Sequence, residues 1–222
     1  MVVTARPMTD HEPNVIVGNV YDKYATRNPV ARWLMHGFLN AVSDLYLQQR
    51  PIRVLEVGCG EGHLAQHLFN VAHTPEAFHA CDISLSSLAQ GLDERIHFSE
   101  ASIYALPFES KSFDLVVCCE VLEHLESPAR GLAEICRVSS NAAIVSTPRE
   151  PLWRVLNMLR GKYLRALGNT PGHVQHFTRA GLLDLLGASL HVVAVRAPVP
   201  WTVVLGRVGG LSSNGAPGVL TG

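Results

Sequence analysis

Short apolar runs alternate along this chain with segments whose apolar side chains recur every three or four residues. The runs consist mainly of aliphatic and β-branched residues, bounded by glycine, proline or acidic residues, which is typical of buried strands. They lie at residues 54–57, 77–81, 96–98, 113–119, 142–147, 191–195 and 202–208. This alternation predicts an open α/β sheet of about seven strands, mostly parallel, with helices on both faces.

A helical pattern precedes the first strand. Apolar residues recur at spacings of three and four over residues 21–48, with a break expected near Asn28 and Pro29. Residues 14–50 are therefore expected to form one or two helices, preceded by a flexible tail at residues 1–13. Residues 51–208 form the main domain, and the glycine- and serine-rich residues 209–222 are expected to be disordered.

The alternation of strand and helix is interrupted after the fifth strand. Residues 151–167 are predicted to form one helix, which ends at the glycine- and proline-rich residues 168–172. Thr178 is the expected N-cap of a further helix over residues 179–186. Residues 148–177 are thus an insertion, which we expect to form a lid with the N-terminal helices and to line a substrate pocket.

A glycine-rich turn follows the first strand. Gly58, Gly60 and Gly62 let the backbone turn tightly and let a ligand approach main-chain atoms, and the next helix begins with unpaired N–H groups. Asp82 closes the second strand about 20 residues later, a position from which an acid can bind both ribose hydroxyls. The two features together predict a nucleotide-type crevice, and several classes of cofactor site use such a turn.

The order of the later motifs is more specific. After Asp82 come Leu-Pro-Phe at residues 106–108, Phe-Asp-Leu-Val-Val at 113–117 and Glu-Val-Leu-Glu-His at 120–124. On these residues the chain resembles the class I S-adenosylmethionine (SAM)-dependent methyltransferases, and most of all their type 11 branch, which includes the ubiquinone-pathway O-methyltransferases. The resemblance covers residues 50–147 strongly and residues 148–208 more loosely.

This resemblance has consequences for fold and cofactor. It implies a Rossmann-like, doubly wound sheet with an antiparallel final strand, so that residues 51–208 are a methyltransferase domain. It also implies that the helices of residues 14–50 cap the substrate side of the crevice. The cofactor would be SAM, and the product formed from it S-adenosylhomocysteine (SAH).

The resemblance also implies positions for the residues that bind SAM. Glu56 would orient its amino-acid end, Asp82 would bind the ribose and Ile83 would lie on the adenine. Ser102 stands where the family often has an acid, so a hydroxyl would replace a carboxylate at the adenine amino group. The complete predicted set is Glu56, Gly58, Gly60, Gly62, Asp82, Ile83, Ser102, Ile103, Glu120 and Val121.

The sequence Glu120-x-x-Glu123-His124 combines two carboxylates with an imidazole. Such groups can bind a divalent cation. This motif is similar to the metal motif of small-RNA 2′-O-methyltransferases and of ubiquinone-pathway O-methyltransferases. In the RNA enzymes a further histidine comes from downstream, a part that His173 or His176 would play here. The alternative, which we favour, is a metal-free site where His124 acts as a general base, because histidine titrates near working pH. The candidate catalytic residues are His124, His173 and His176.

Three functions remain open from the sequence. The leading hypothesis is methyl transfer from SAM to a small-molecule acceptor, with oxygen as the expected target atom. A metal-assisted RNA 2′-O-methyltransferase is the second, and a non-catalytic SAM-binding partner subunit is the third. A formal net charge of −1 over 222 residues creates no field that attracts RNA, so no nucleic-acid partner is expected.

Composition also bears on the cellular setting. The five cysteines are an odd number without a Cys-x-x-Cys pair, and no apolar run has the roughly 20 residues that span a bilayer. Without a start that resembles a signal peptide, these features favour a reducing cytoplasm. The basic residues of the inserted helix form an ordinary solvated face, or all of them except Arg165 form, with Trp153 and Tyr163, a contact for an anionic substrate or a membrane surface. These basic residues are Arg154, Arg160, Lys162 and Arg165.

Overall fold

The computed structural model describes residues 28–71, 74–159, 161 and 163–209, and of Arg165 it describes the backbone alone. The expected tail at residues 1–13, the N-terminal residues 14–27 and the end of the chain from residue 210 lie outside the described residues. Within the described part of the chain, no helix is both long and apolar enough to span a bilayer.

The described residues form one seven-stranded sheet. Its strands are β1 (Arg53–Val57), β2 (Ala77–Asp82), β3 (Ile96–Glu100), β4 (Phe113–Cys119), β5 (Ser139–Pro148), β6 (Leu190–Arg196) and β7 (Trp201–Val208). They lie in the order β3-β2-β1-β4-β5-β7-β6, and β7 is antiparallel to both of its neighbours while the other pairs are parallel. The predicted doubly wound sheet with an antiparallel final strand is confirmed.

Five α-helices flank these strands within the described residues. They are α1 (Pro29–Gln49), α2 (His63–Phe69), α3 (Pro128–Val138), α4 (Leu152–Leu159) and α5 (Arg179–Gly187). The helix break expected near Asn28 is the N-cap of α1, where Asn28 Oδ1 accepts a hydrogen bond from the N–H of Val30 at 2.9 Å. Thr178 caps α5 as predicted, because its hydroxyl oxygen accepts from the N–H of Gly181 at 3.1 Å. Both caps satisfy N–H groups that have no partner inside the helix.

Side chains alternate between the two faces of the sheet, as the strand period of two requires. On one face, Val54 and Leu115 pack in a core that includes residues of α1 and α2. On the other face, Leu55 and Val116 pack in a core that includes residues of α3 and α5. Because helices cover both faces, the ends of the strands are left for a ligand.

The inserted segment differs from its prediction. Instead of one helix over residues 151–167, α4 ends at Leu159 and a separate 3₁₀ turn follows Tyr163. Tyr163 adopts the left-handed conformation at φ 55°, through which a right-handed helix does not continue. The chain then folds back on α4, where Arg154 Nε donates to the carbonyl oxygen of Leu167 at 2.9 Å. The predicted single helix is therefore wrong, because apolar periodicity alone does not reveal this reversal.

Hydrogen bonds join the insertion to the turn that follows β4. The N–H groups of Val174 and Gln175 both donate to the carbonyl oxygen of Glu123 at 2.9 Å. The side-chain amide of Gln175 donates to the carbonyl oxygen of Leu125 at 3.3 Å. The insertion is thereby attached to the turn that carries His124.

Arg137 on α3 fastens the loop after β3 to the helix layer. Its guanidinium donates to the carbonyl oxygens of Leu106 and Phe108, at 2.8 and 2.7 Å, and to both carboxylate oxygens of Glu134. Glu134 in turn accepts from the N–H of Leu106 at 3.0 Å. A planar guanidinium matches this set of acceptors, whereas a compact ammonium group does not.

We predict that Arg137→Lys lowers the free energy of unfolding by about 1–3 kcal/mol, because lysine keeps the charge and loses the planar set of hydrogen bonds. Urea denaturation followed by circular dichroism measures the loss. Arg95→Lys is the matched control, since Arg95 pairs with Asp93 at the surface and its replacement should move the midpoint far less. Equal shifts for the two variants would contradict the prediction.

Candidate functional site

A cavity lies where the parallel strands end, next to β1 and β4. In the sheet, β1 lies between β2 and β4, and the chain runs from β1 to β2 on one side and reaches β4 on the other. The strand order therefore reverses at β1, which makes this edge a topological switch point. Open α/β sheets bind ligands at such a point. Most of the residues predicted to bind the cofactor line the cavity: Glu56, Gly58, Gly60, Asp82, Ile83, Ser102, Ile103, Glu120 and Val121.

Gly58 lets the loops after β1 and β4 approach each other. It has a φ of 80°, and its N–H and that of Cys59 both donate to the carbonyl oxygen of Cys81, at 2.7 and 3.0 Å. A Cβ atom on Gly58 would lie 2.2 Å from Cγ2 of Val121. The backbone conformation and the close approach both require glycine, so the site presents main-chain atoms here.

Asp82 at the end of β2 is bonded to the glycine turn. Its Oδ2 atom accepts from the N–H of Gly60 at 2.8 Å, and the half-buried side chain lines the cavity. A carboxylate offers about four acceptor positions on its two oxygens, so this bond leaves capacity for hydroxyl groups of a ligand. The arrangement is compatible with the ribose-binding role, which stays a prediction.

Glu56 is a buried carboxyl group near the end of β1. Burial and, to a smaller extent, the charge of Asp82 raise its pKa, while a hydrogen bond from the N–H of Ala65 lowers it; the resulting pKa is about 8. Glu56 is therefore mostly protonated at neutral pH, and its Oε2 atom has no hydrogen-bond partner within the described protein. A cationic group in the cavity would favour the ionised form, because an opposite charge lowers the pKa of a carboxyl group.

The loops after β2 and β3 supply Ile83, Ser102 and Ile103. All three line the cavity, and Ser102 Oγ accepts from the N–H of Tyr104 at 3.3 Å. A hydroxyl oxygen has two lone pairs and one proton to donate. Ser102 therefore retains capacity for the predicted hydrogen bond with an adenine amino group.

Gly62 does not line the cavity, and its predicted contact with the cofactor stays a prediction. It is the N-cap of α2 at φ 80°, and a Cβ atom there would lie 2.7 Å from Leu92 Cδ1 and 3.1 Å from Phe98 Cε1. Glycine is required at this position by the left-handed turn into the helix and by the packing of Leu92 and Phe98 against it. The spacing of the three glycines alone could not separate this role from a contact with the cofactor.

Glu120 has different partners from those that its sequence motif suggested. The residue adopts a left-handed φ of 62° directly after β4. Its carboxylate accepts from Trp201 Nε1 at 2.7 Å and from Ser146 Oγ at 3.2 Å. It lines the cavity but does not belong to the possible metal-ligand group of the described chain, which differs from the alternative set of Glu120, Glu123 and His124.

That group consists of Glu123, His124 and His173, whose ligand atoms lie within 4.8 Å of one another. His124 Nδ1 lies 2.9 Å from the carbonyl oxygen of Gly172. Because a carbonyl can only accept, Nδ1 carries the proton and Nε2 of the neutral ring carries the lone pair. Of the three side chains, His124 lines the cavity. The group can bind a divalent cation, or it can hold His124 in one orientation.

The two downstream histidines differ in their relation to the site. The ring of His173 lies 4.9 Å from that of His124, edge to face, so His173 reaches the cavity only through His124. His176 is exposed, and its Nε2 atom pairs with Asn169 Oδ1 at 2.9 Å. The ring of His176 pairs within the insertion and lies outside the cavity lining, so its catalytic role stays a prediction that the geometry does not support.

The sequence predicted that the N-terminal helices cap the substrate side, but it did not identify the individual residues of the apolar wall. Met35 and Phe38 of α1 and Trp201 of β7 form it. Trp201 reaches the site because β7 is antiparallel, so its first residue lies opposite Pro148 at the end of β5. An aromatic residue at the start of the last strand is the signal that could have identified it. No described residue of the insertion lines the cavity, so the expected contribution of residues 148–177 to the substrate pocket stays a prediction.

Comparisons with known proteins bear on the identity of this domain. Residues 55–146 match the family model described as a methyltransferase domain. The chain is 40% identical over 83 residues to the ubiquinone biosynthesis O-methyltransferase of Paracidovorax citrulli, a match that covers 35% of this chain and 34% of the relative. It is 28% identical over 103 residues to the norajmaline N-methyltransferase of Rauvolfia serpentina, which covers 43% and 35% of the two chains. Residues 55–146 are thus a methyltransferase domain of the class I SAM-dependent type.

The methyltransferase domain shares its fold with solved structures. The magnesium protoporphyrin IX methyltransferase of Synechocystis, solved with bound SAH, superposes with a TM-score of 0.58 at 18% identity and covers 83% of this chain and 89% of that one. At this identity the likeness shows the fold alone. The matched segments of the curated relatives are 22% to 38% of their lengths, so the chain spans about a third or less of most of them.

We predict that Glu56→Gln raises the free energy of unfolding at pH 8 and has little effect near pH 4.5. The pKa of Glu56 is about 8 in the folded protein against 4.5 for an ordinary glutamate, so the folded state holds the extra proton between these values. The unaltered protein therefore loses stability as the pH rises from 4.5 through 8. The loss has an upper limit of about 5 kcal/mol, at about 1.4 kcal/mol per pKa unit.

Urea denaturation at a series of pH values measures this difference. Glu76→Gln is the matched control, because Glu76 is an exposed carboxylate just before β2 and its replacement should leave the pH dependence of unfolding as it is. The prediction is wrong if the Glu56→Gln protein and the unaltered protein lose stability in parallel over this pH range.

Proposed function

We propose that the protein binds SAM in this cavity and transfers its methyl group to a small-molecule acceptor, at a hydroxyl oxygen. The observation that carries the proposal is the pairing of the glycine turn with Asp82: the N–H of Gly60 donates to Oδ2 of Asp82 within one cavity at the switch point. Membership of the methyltransferase family over residues 55–146 supports it. The buried carboxyl group of Glu56 supports it as well, since SAM is a cation.

The proposed contacts follow from the lining of the cavity. Asp82 accepts hydrogen bonds from the ribose hydroxyls, and Ile83 packs on the adenine ring. Ser102 accepts from the adenine amino group, and Glu56 ionises to pair with the ammonium of the amino-acid end. Gly58 and Gly60 let this end lie against the backbone, because they carry no side chain.

When bound, SAM supplies a methyl group that is already activated by its positive sulfur. The protein therefore has to position the acceptor in line with the methyl group, exclude water and remove one proton. Nε2 of His124 takes that proton from the acceptor hydroxyl, because the carbonyl of Gly172 fixes the proton of the neutral ring on Nδ1. The expectation of a hydroxyl acceptor rests on this base, since a neutral amine can attack without giving up a proton first.

A small acceptor fits the site better than RNA does. Buried apolar side chains, those of Met35, Phe38 and Trp201, close the cavity opposite the polar residues. Glu123, His124 and His173 are the residues that would hold a divalent cation, which would lower the pKa of a bound hydroxyl. The proposal does not require this cation, because His124 already supplies a base.

We predict that the protein binds SAH and that Asp82→Ala weakens this binding at least tenfold. Each charge-assisted hydrogen bond lost should cost about 1.5–3 kcal/mol, and 1.4 kcal/mol corresponds to a factor of ten. Isothermal titration calorimetry measures both affinities. Asp184→Ala, which removes an exposed carboxylate from α5, is the control and should bind SAH as the unaltered protein does. If the unaltered protein fails to bind SAH, the proposed function is rejected.

We predict that His124→Ala lowers the rate of methyl transfer by about 10²–10⁴, the usual contribution of a general base, while SAH affinity is retained. The assay follows tritium from SAM into extractable products, with the small-molecule fraction of a cell extract as the source of acceptor. His176→Ala is the matched control and should keep the rate. A chelator should leave the rate unchanged, so full loss of activity with chelator and recovery with a divalent ion would overturn the metal-free scheme.

A further inference from the structure

The cavity has two sides of different chemistry. The loops after β1, β2 and β3 supply polar and main-chain groups, including Glu56, Gly60 and Asp82. Across β4, the wall consists of Met35, Phe38 and Trp201, which are 8%, 2% and 3% exposed. If SAM occupies the polar side, as the proposed function states, the apolar side is left for the acceptor.

Trp201 is the largest side chain of this wall, and its orientation is fixed from several directions. Its Nε1 atom donates to Oε2 of Glu120 at 2.7 Å. The ring of Phe38 lies 5.0 Å from it at 45°, and that of Trp153 lies 5.9 Å from it at 53°. The indole, which lines the cavity, is therefore held in one orientation instead of rotating to suit any ligand.

Glu120 is itself held in place to make this bond. Its N–H donates to the carbonyl oxygen of Ser146 at 3.1 Å, and its carboxylate also accepts from Ser146 Oγ at 3.2 Å. The left-handed φ of 62° is unfavourable for a residue with a side chain, so these bonds must compensate for it. Glu120 thus connects the end of β5 to the ring at the start of β7.

We propose that Trp201 is the specificity-determining residue of the acceptor side, that Glu120 positions it, and that the acceptor it selects carries a flat unsaturated ring. Aromatic faces attract other aromatic rings in offset or tilted arrangements, beyond the burial of apolar area. The sulfur of Met35 adds a further favourable partner for a ring. A puckered saturated ring of the same size buries similar area but cannot make these contacts.

The position of the wall residues in the sequence agrees with separate roles in binding the cofactor and selecting the acceptor. Residues 55–146, which match the family model, include Glu56, Gly60 and Asp82. Met35, Phe38 and Trp201 all lie outside the matched segment. The groups proposed to bind the shared cofactor are thus carried by the family domain, whereas the wall proposed to select the acceptor is built from sequence that flanks it.

A matched pair of probes tests the inference, which rests on the proposed function. The protein is saturated with SAH, and calorimetry measures its affinity for 2-naphthol and for decahydro-2-naphthol, which share a carbon skeleton and differ in flatness. We expect 2-naphthol to bind about tenfold more tightly. In Trp201→Leu this preference should fall below about threefold, while SAH affinity is retained. A general loss of stability would weaken both probes together and leave their ratio unchanged.

Further variants keep the test decisive if the buried Trp201→Leu protein does not fold. Glu120→Ala keeps the indole but removes its hydrogen bond, and should reduce the preference for the flat probe. Glu120→Gln should restore most of it, because an amide oxygen can accept from Trp201 Nε1. Trp33→Leu is the control, since Trp33 lies on the same helix as Phe38 but is 67% exposed. The Trp33→Leu protein should prefer the flat probe as strongly as the unaltered protein does.

The outcomes separate this inference from the proposed function. If the unaltered protein does not bind SAH, the proposed function fails and the inference fails with it. If SAH binds but the two probes bind equally, or neither binds up to its solubility limit, the inference alone is overturned. A preference that survives in both Trp201→Leu and Glu120→Ala would overturn the role of Trp201 and Glu120.

Discussion

The contact between Gly58 and Val121 is the constraint on which the rest of the site depends. A Cβ atom at Gly58 would lie 2.2 Å from the valine side chain, so the loops after β1 and β4 can meet only because that atom is missing. The same turn directs two N–H groups to the carbonyl oxygen of Cys81 at the end of β2. Three neighbouring strands thus have their loops fixed relative to one another, and the cavity is the space that this arrangement leaves.

The electrostatics of the cavity depend on the burial of Glu56, the acid that precedes this turn. Glu56 lies below the turn, where burial and the charge of Asp82 raise its pKa to about 8. Keeping an acid there reduces the stability of the empty protein at high pH, as linkage requires. The same group would pair with a cation that brings its own charge into the cavity. Natural proteins often accept a loss of stability where a binding site requires it.

The two sides of the cavity also differ in how they are built. Short loops after neighbouring parallel strands supply the polar side, so its geometry follows from the sheet. The apolar side is assembled from α1 and from the start of β7, which meet where Phe38 and Trp201 lie 5.0 Å apart. Its shape therefore depends on packing between remote segments. A family that keeps the sheet can vary its acceptors by changing these segments, as common folds often do with their substrates.

The sequence by itself determined the features that depend on local pattern. Apolar runs bounded by turns located the strands, and the spacing from the glycine turn to Asp82 located a polar edge, because both signals lie within short segments. Only the tertiary structure decided the pairings between distant residues. Glu120 and Trp201 are 81 positions apart, and His124 and Gly172 are 48 apart. The reversal of the chain at Tyr163 likewise depends on contacts with α4. Periodicity records which side chains avoid water and not which remote group each one meets, so these partners became visible only in the folded chain.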